Sequence, residues 1–301
     1  MNFKRHIISL LLFLLTFNNL NAQILPADSV LDTGKLYTVS AIGGTFWIGS
    51  VIGLNSAWYS NYDQSSWHTF NDNAEWCQMD KLGHMGTSYY LGKVGYDLLR
   101  WSGVSHKKST WYGGGFGFLY LSSIEMLDAY STNWGFSWGD MTANAAGSIL
   151  YIGQSLIWQE QRISMKYSFH TTSYADTRPD LLGNNYPEQM LKDYNGQSIW
   201  LSANIYSFLK EDTWFPKWLN IAAGYGAEGM LGGFSNADMN GNPINTPRYR
   251  QYYLSLDVDW TRIPTKSKFL KTVFNLISFI KFPAPAIEFS SQGTIFHPIY
   301  Y

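Results

Sequence analysis

The sequence predicts an α+β protein, with an N-terminal bundle of about four helices followed by a C-terminal half of antiparallel β-strands and one or two helices. Up to about Arg162, long segments without charge carry apolar residues at helical spacing. After it, several shorter segments alternate apolar and polar residues, as half-buried strands do. We expect one unit at 36–162, the helical bundle, and a second at 163–301, the strand-rich region packed on it.

The N-terminus has the pattern of a secretory signal peptide. Lys4 and Arg5 precede an uncharged apolar run from residue 7 to 17, and such a run is short for a membrane span. We expect residues 1–22 to be removed on export, with cleavage after Ala22; an N-terminal anchor helix is the alternative. The only cysteine is Cys77, which excludes an internal disulfide and a cysteine metal cluster.

Four helices are expected in the first half. Residues 36–62 lack charge, and 42–54 is a candidate first helix, either membrane-spanning or buried. Residues 60–73 read as a loop. Apolar spacing predicts a second helix over 80–101 and a third over 109–128, the latter containing glycines that permit close helix contact. After a turn at 132–135, Ser137 is a good N-cap, with Asp140 at the third helical position of a fourth helix over 141–159.

The second half reads as strands with one apolar face. Strands are expected at 167–174, 219–225, 251–262 and 286–296, a loop at 177–196, and a helix at 266–280, whereas 198–209 is ambiguous between helix and strand. In the clearest strand, Leu254 and Leu256 share one face, and Asp257 and Asp259 are interpreted as part of a solvated face; Glu288 is interpreted in the same way. Four to six strands are fewer than the eight of a closed barrel.

The composition points to a membrane and away from nucleic acid. With 13 Trp, 21 Tyr and 18 Phe but only 14% charged residues, the chain resembles proteins that lie at a membrane interface; a large aromatic core is the alternative. The net charge of −1 implies no nucleic-acid partner. Membrane lipid or another envelope protein is the expected partner.

Polar residues on three of the predicted helices form one constellation. Asp80 and His84 are four residues apart, and therefore on one helix face, with Lys81 beside them. In a compact bundle they could meet further polar residues at the end of the third helix and the start of the fourth: Glu125, Asp128, Ser137, Asp140 and Asn144.

Two chemistries fit this constellation. Asp80, His84, Glu125 and Asp140 are candidate ligands of a divalent metal, the only cofactor that the pattern suggests. Alternatively, clustered carboxylates raise one another's pKa and act as acid and base, with His84 as a shuttle. The structural alternative is that these groups cap helices, pair with Lys81, or tie the bundle together. His84, Asp80 and Asp140 are the residues expected to carry any reaction.

The same residues carry a resemblance to a known family. Asp80-Lys81-Leu-Gly-His84, then Glu125-Met-Leu-Asp128, then Ser137-Trp-Gly-Asp140 with Asn144 and Gly147, resemble the domain-of-unknown-function family 2279 of envelope proteins and lipoproteins. More distantly, residues 75–160 are similar to the VanZ-like family of helical membrane proteins. The resemblance implies that these side chains form a shared polar core but supplies no reaction. Since no cysteine lies near residue 22, lipid anchoring is not carried over.

Three functions remain open from the sequence. The first is an exported, membrane-associated structural or envelope-maintenance component, at the outer membrane or its periplasmic face, with the inner membrane as the alternative. The second is a membrane-associated hydrolase or metal-dependent enzyme acting on envelope lipid or cell-wall material. The third is a protein that binds a hydrophobic ligand between helices and strands.

Overall fold

The computed structural model describes residues 27–57, 63–210 and 213–300, so the predicted signal peptide at 1–22 lies outside the described residues. Helices fill the first half and a six-stranded antiparallel sheet fills the second. The predicted α+β class is therefore confirmed.

The helical half contains five α-helices in the described residues. They are α1 (Thr33–Ala57), α2 (Met79–Trp101), α3 (His106–Gly114), α4 (Phe116–Asp128) and α5 (Trp138–Ile157). The second and fourth predicted helices are confirmed as α2 and α5. The prediction of one continuous helix over 109–128 was wrong, because this segment forms two helices that begin at His106 and divide at Gly115. At the division, the Gly115 N–H still donates to the Trp111 carbonyl at 3.0 Å. The neighbouring glycines let α2 and α3 approach closely, because a Cβ on Gly113 would lie 2.4 Å from the backbone of α2.

Helix α1 lies on the outside of the bundle. In the described residues it is the one helix long and apolar enough to cross a membrane. Its most apolar stretch has a mean hydropathy of 1.3, and only 6% of that stretch is buried. It is held to the bundle by few groups, among them Trp47, whose indole N–H donates to Ser123 Oγ at 3.0 Å. The segment is therefore not a buried helix in the described residues, and the alternative of a membrane span stays a prediction.

The sheet is a meander in which each strand pairs with the next along the chain. Its strands are β1 (Ile163–Phe169), β2 (Gln197–Asn204), β3 (Leu219–Glu228), β4 (Tyr249–Val258), β5 (Ala284–Ser290) and β6 (Gly293–Tyr300). The strand predicted at 286–296 is two strands, because the chain reverses before Gly293, which adopts a φ of +116°. The segment 198–209 is mostly strand and ends in a 3₁₀ turn, Ile205–Phe208.

Short helices replace the loop predicted at 177–196. They are α6 (Tyr174–Thr177), α7 (Pro179–Leu182) and α8 (Tyr186–Lys192). Asn185 caps α8 by accepting a hydrogen bond from the Glu188 N–H, and Pro187 occupies the first turn of the helix. Both residue types favour the start of a helix, but they are also common in loops, which is why the composition of this segment predicted a loop. The predicted C-terminal helix is confirmed as α9 (Lys268–Leu276), although it is shorter than expected.

The polar face of the sheet is buried, which contradicts the solvated face predicted for Asp257 and Glu288. Their exposed fractions are 1% and 3%, whereas Leu254 and Leu256 on the opposite face are 49% and 50% exposed. The sheet curls, so that Lys166 on β1 reaches Asp257 on β4 at 2.8 Å, although these strands are not neighbours. The inner face therefore becomes a closed interior of paired polar groups around the indole of Trp200.

The outer face of the sheet divides into a covered and an uncovered part. At β1, Met165 packs against Tyr89 of α2 and Tyr151 of α5, so the bundle covers this edge. Over β3–β6 nothing in the described residues covers the apolar side chains, which we call the uncovered sheet face: Ile221, Tyr252, Leu254, Leu256, Ile287, Phe289, Phe296 and Ile299.

Candidate functional site

The structure brings the predicted polar residues together at one end of the bundle. Asp80, Lys81 and His84 stand on the first turns of α2, Glu125 and Asp128 on the last turn of α4, and Ser137, Asp140 and Asn144 at the start of α5. We call this cluster the polar centre. Five of its residues, Asp80, His84, Glu125, Asp128 and Asp140, border a cavity of about 650 Å³, which we call the polar cavity. The structure therefore brings together the side chains that helical spacing predicts to converge.

Lys81 is the central cation of this group. Its Nζ lies 2.7 Å from Asp72 Oδ2, 2.7 Å from Asp140 Oδ1 and 3.2 Å from Asp80 Oδ2. Burial alone would lower the pKa of Lys81, but the three carboxylates outweigh it and raise the pKa above the ordinary value. Lys81 is therefore charged at neutral pH and offsets part of the negative charge of the aspartates around it.

His84 stands between carboxylates from two helices. Its Nε2 is 3.8 Å from Asp80 Oδ1 and 3.9 Å from Asp140 Oδ1. Its Nδ1 is 3.1 Å from Asn144 Oδ1. Because an amide oxygen only accepts, this hydrogen bond needs a proton on Nδ1, and the neutral ring then presents the Nε2 lone pair to the two aspartates.

The N-terminus of α5 is built into the same network. Ser137 Oγ accepts from the Asp140 N–H at 3.0 Å, which confirms the predicted N-cap, and donates to Asp72 Oδ1 at 2.6 Å. In a capping box the Asp140 side chain would accept from the Ser137 N–H. Here Glu125 Oε2 accepts it at 3.2 Å, which leaves the Asp140 carboxylate free to face Lys81 and His84.

Burial shifts the pKa of two carboxyl groups in the centre. Glu125 is 2% exposed; its burial, together with the charges of Asp140 and Asp128, raises its pKa to about 9. Burial also raises the pKa of Asp140, while the neighbouring His84 opposes that rise. Asp72 behaves oppositely: burial raises its pKa, but hydrogen bonds from Asp140, Lys81 and Ser137 bring it below the ordinary value.

Sequence reasoning missed two members of the centre, Asp72 and Tyr194. Asp72 lies in the segment between α1 and α2, which reads as loop, and is 8% exposed. Tyr194 follows α8 in the other half of the chain, and its hydroxyl donates to Asp80 Oδ1 at 3.0 Å. No local pattern marks either residue, since both reach the site through tertiary packing.

A strained turn delivers the chain into α2. Trp76, Cys77 and Gln78 all have positive φ, at 46°, 51° and 67°, which costs of order 1–3 kcal/mol per residue. The turn is held from both sides: the Trp76 ring packs on Tyr194, and the hydroxyl of Tyr225 donates to the Cys77 carbonyl. It fixes the direction in which Asp80 and Lys81 enter the polar cavity.

One predicted residue, Asp128, and two histidines that were not predicted as site residues have different places in the structure. Asp128 borders the polar cavity and acts on Glu125 through its charge. His106 bonds Tyr96 and the Ser155 carbonyl between helices, and His297 pairs with Glu288 at 2.9 Å inside the sheet. These imidazoles stabilise packing and are remote from the polar centre.

Comparison with known proteins identifies one family. Residues 66–152 match the sequence model of DUF2279, which is described as a predicted periplasmic lipoprotein. The match covers less than a third of the chain, but it spans Asp72 and every helical member of the centre; Tyr194 lies outside it. No curated protein and no solved structure matches. The similarity to the VanZ-like family stays a prediction.

The family description bears on location alone. A predicted periplasmic lipoprotein family and the apolar helix near the N-terminus both fit an exported envelope protein. Cys77, the one cysteine in the sequence, is buried in the strained turn before α2.

Proposed function

We propose that the protein is a membrane-associated enzyme of the cell envelope, whose polar centre binds a divalent cation and hydrolyses an ester or phosphoester in envelope material. The observation that carries the proposal is the position of His84 Nε2, 3.8 and 3.9 Å from carboxylate oxygens of Asp80 and Asp140. Two ligand atoms that are each about 2.1 Å from an ion can lie up to about 4.2 Å apart. All three ligand atoms lie within 4.8 Å of one another, so a small closure would bring them around one ion.

Charge balance supports a second cation beside Lys81. Three aspartates surround one ammonium group, and even when Asp140 carries a proton, as its raised pKa allows, Asp72 and Asp80 leave one negative charge uncompensated in a largely buried place. Asp140 Oδ1 is 2.7 Å from Lys81 Nζ, but it lacks a hydrogen bond of good geometry, and the Asp140 residue is 4% exposed. A divalent ion would neutralise the group, and imidazole with carboxylates suits Mn²⁺ or Zn²⁺.

The surrounding residues have the roles that such a site requires. The Asn144 amide holds the far nitrogen of the His84 ring, as the outer hydrogen bond of a metal-ligating histidine does. Tyr194 and Lys81 fix the two oxygens of Asp80. The cation supplies polarisation of an ester or phosphoryl oxygen. Water would add to the carbonyl carbon or the phosphorus that carries this oxygen, the bond from that carbon or phosphorus to the leaving oxygen would break, and a water proton would pass to the leaving oxygen.

The apolar surface supports the membrane-associated part of the proposal. The uncovered sheet face carries side chains that are 40–66% exposed, and α1 exposes Ile48 and Ile52 to a similar degree. Apolar patches of this extent mark a membrane or protein contact. Because the polar groups of the sheet face inward, apolar side chains are exposed on both halves of the molecule, on α1 and on the uncovered sheet face. We assign this surface to lipid at the outer membrane or its periplasmic face.

A structural role is the second candidate, and the Lys81 contacts favour it. One ammonium group already ties three carboxylates from two helices and a loop, which would hold the bundle together with no chemistry. In that case the centre would bind no metal, and its loss would affect stability alone. An envelope-maintenance protein of this kind would act through its surface.

Metal binding to the full chain in detergent separates the two candidates. We expect about one equivalent of Mn²⁺ or Zn²⁺ per chain by calorimetry, and at least tenfold weaker binding in His84→Ala. His170→Ala is the matched control, because its imidazole lies against the ring of Tyr300 and outside the polar centre. Equal binding by the two variants, or no binding by the folded wild type, would leave the structural candidate.

A further inference from the structure

A second cavity, of about 840 Å³, runs along the face of α2 that continues from Asp80 and His84. We call it the apolar cleft. Its opposite wall is formed by β1, β2, the end of α8 and the residues after α9. Six of its apolar wall residues define its character: Leu91, Val94, Met165, Met190, Ile199 and Phe279. It is a long cavity between the bundle and the sheet.

The apolar cleft and the polar cavity are adjacent. Asp80, His84, Leu191 and Tyr194 border both. A ligand in the apolar cleft would therefore place one end against two of the candidate cation ligands, Asp80 and His84, and the rest against hydrocarbon side chains. Such a division of polar and apolar surroundings is the signature of a site for an amphiphile.

The dimensions suit a lipid chain. From Asp80 to Val94 the cleft follows fourteen residues of helix, which is about 21 Å at a rise of about 1.5 Å per residue. One leaflet of a bilayer has a hydrocarbon depth of about 15 Å. The cleft is thus long enough for the whole acyl chain of a membrane lipid.

The charges also select the orientation of the ligand. At the far end of the cleft, Lys93 and Asp97 neutralise each other at 2.9 Å. At the near end, the aspartates carry more negative charge than Lys81 offsets, and a divalent cation bound there would attract an oxyanion. A charged head group therefore has one favourable position, beside His84.

We propose that the apolar cleft binds the hydrocarbon chain of a phosphate-bearing lipid, whose phosphate lies at the Asp80–His84 end. This inference rests on the proposed function, because the phosphate needs the cation at that end. It adds the substrate class: a membrane lipid with its phosphate close to a long chain.

Gly83 offers a way to fill the cleft without disturbing the helix. It borders the cleft one turn from Asp80, and a Cβ built there meets no atom within 4 Å. Gly83→Leu should therefore be accommodated and should occupy the space of the chain. Gly153→Leu on α5 is the matched control, since its Cβ also meets nothing within 4 Å.

Calorimetry on the full chain in detergent, with Mn²⁺ present, tests the inference with hexadecyl phosphate, ethyl phosphate and hexadecanol. We expect hexadecyl phosphate to bind at least tenfold more tightly than either other compound. Gly83→Leu should weaken it at least tenfold, while Gly153→Leu should bind it as the wild type does. If Gly83→Leu misfolds, Leu91→Asp replaces it in the test. This variant puts a charge on the cleft wall and should also weaken the binding of hexadecyl phosphate at least tenfold.

The outcomes separate the cleft from the metal centre. If hexadecyl phosphate binds no better than ethyl phosphate, or binds Gly83→Leu and Leu91→Asp unchanged, the cleft is not its site and the inference is overturned. If hexadecanol binds as tightly as hexadecyl phosphate, the phosphate assignment is overturned. If Mn²⁺ fails to bind while the chain-length effect and its loss in Gly83→Leu persist, the proposed function fails and the chain site stands.

Discussion

Lys81 is the residue on which the charge balance of the polar centre most depends. Its ammonium group makes three carboxylate contacts of 2.7–3.2 Å while its side chain is 12% exposed. Removing one partner of a buried charge group leaves the others uncompensated, which is more costly than the net worth of the contacts. In the metal-free protein, Lys81 is therefore the main stabiliser of the centre.

Lys81→Met should destabilise the metal-free protein by about 3–5 kcal/mol, because three aspartates then lack a buried counterion. Thermal unfolding in detergent measures this. Addition of Mn²⁺ should raise the melting temperature of the variant more than that of the wild type, since the ion replaces the lost charge.

Lys93→Met is the control for that change. Lys93 pairs with Asp97 at 2.9 Å on the same helix, but the two side chains are 27% and 33% exposed, so the pair is worth less than about 1 kcal/mol. If Lys81→Met proved as stable as Lys93→Met, the centre would not depend on its cation.

The helical members of the centre could be predicted from the sequence, whereas its outer members could not. Asp80 and His84 share a helix face by spacing alone, and Ser137 carries a local N-cap signal. Asp72 and Tyr194 approach from a loop and from the sheet half, 114 residues beyond Asp80 in the case of Tyr194. Local pattern contains no information on such contacts.

At the scale of elements, the site depends on how closely α2 and α5 approach. Gly147 on α5 faces the carbonyl of Met85 on α2, and a Cβ added to it would lie 2.1 Å from that oxygen. The hydroxyl of Ser88 also donates to the Asn144 carbonyl at 2.6 Å between the same helices. These contacts set the distance between His84 and Asp140.

Gly147→Ala should destabilise the protein by about 1–3 kcal/mol and weaken Mn²⁺ binding, because the added methyl group pushes α5 from α2. Denaturant unfolding and calorimetry provide the two readouts. Gly153→Ala on the same helix has open space and should leave binding unchanged, with stability equal or up to about 1 kcal/mol higher. Similar stability and binding in the two variants would contradict the close approach.

In the strands, the alternation of residue types identifies the two faces of the sheet but assigns the wrong face to the interior. Alternation in β4 correctly separates Leu254 and Leu256 from Ser255 and Asp257, but it does not say which set faces the interior. The curl of the sheet decides this, since it lets Lys166, Asp257 and Ser202 satisfy one another across several strands. Polar groups can be inside when each has a partner.

The enclosed tyrosines of the sheet predict alkaline unfolding. Burial, then the neighbouring Tyr300, raises the pKa of Tyr253 well above its ordinary value of 10.0. Below pH 10 the phenol is protonated in both states, so its contribution is complete. Above pH 10 only the unfolded chain releases the proton, and stability falls by about 1.4 kcal/mol per pH unit for each such group.

Phenolate absorbance and circular dichroism, followed together against pH, test this expectation. The phenolate signal of the buried tyrosines should appear with unfolding, and Tyr253→Phe should make the fall of stability less steep. Titration of all tyrosines near pH 10 with the fold intact would contradict the closed interior.

At the scale of the whole molecule, apolar side chains face outward from both halves. The uncovered sheet face and α1 together give the protein a surface suited to hydrocarbon, while polar pairs are kept inside. The aromatic-rich and charge-poor composition of the sequence predicts membrane contact, whereas the identity of the exposed apolar side chains follows only from the three-dimensional structure.

Leu254→Ser combined with Leu256→Ser should lower the partition of the protein into phosphatidylcholine vesicles by about tenfold, because two half-exposed side chains lose their transfer free energy. Vesicle co-sedimentation measures the partition. Met239→Ser, at a 64% exposed position between β3 and β4, is the control and should have little effect. An unchanged partition of the double variant would show that the uncovered sheet face does not contact the membrane.

Electron spin-echo spectroscopy of the Mn²⁺-loaded full chain tests the central claim, that His84 and two aspartates from different helices hold one cation. We expect a single class of bound Mn²⁺ with modulation from an imidazole nitrogen, present in the wild type and in His170→Ala and absent from His84→Ala. Bound Mn²⁺ without nitrogen modulation, or modulation that survives His84→Ala, would contradict it.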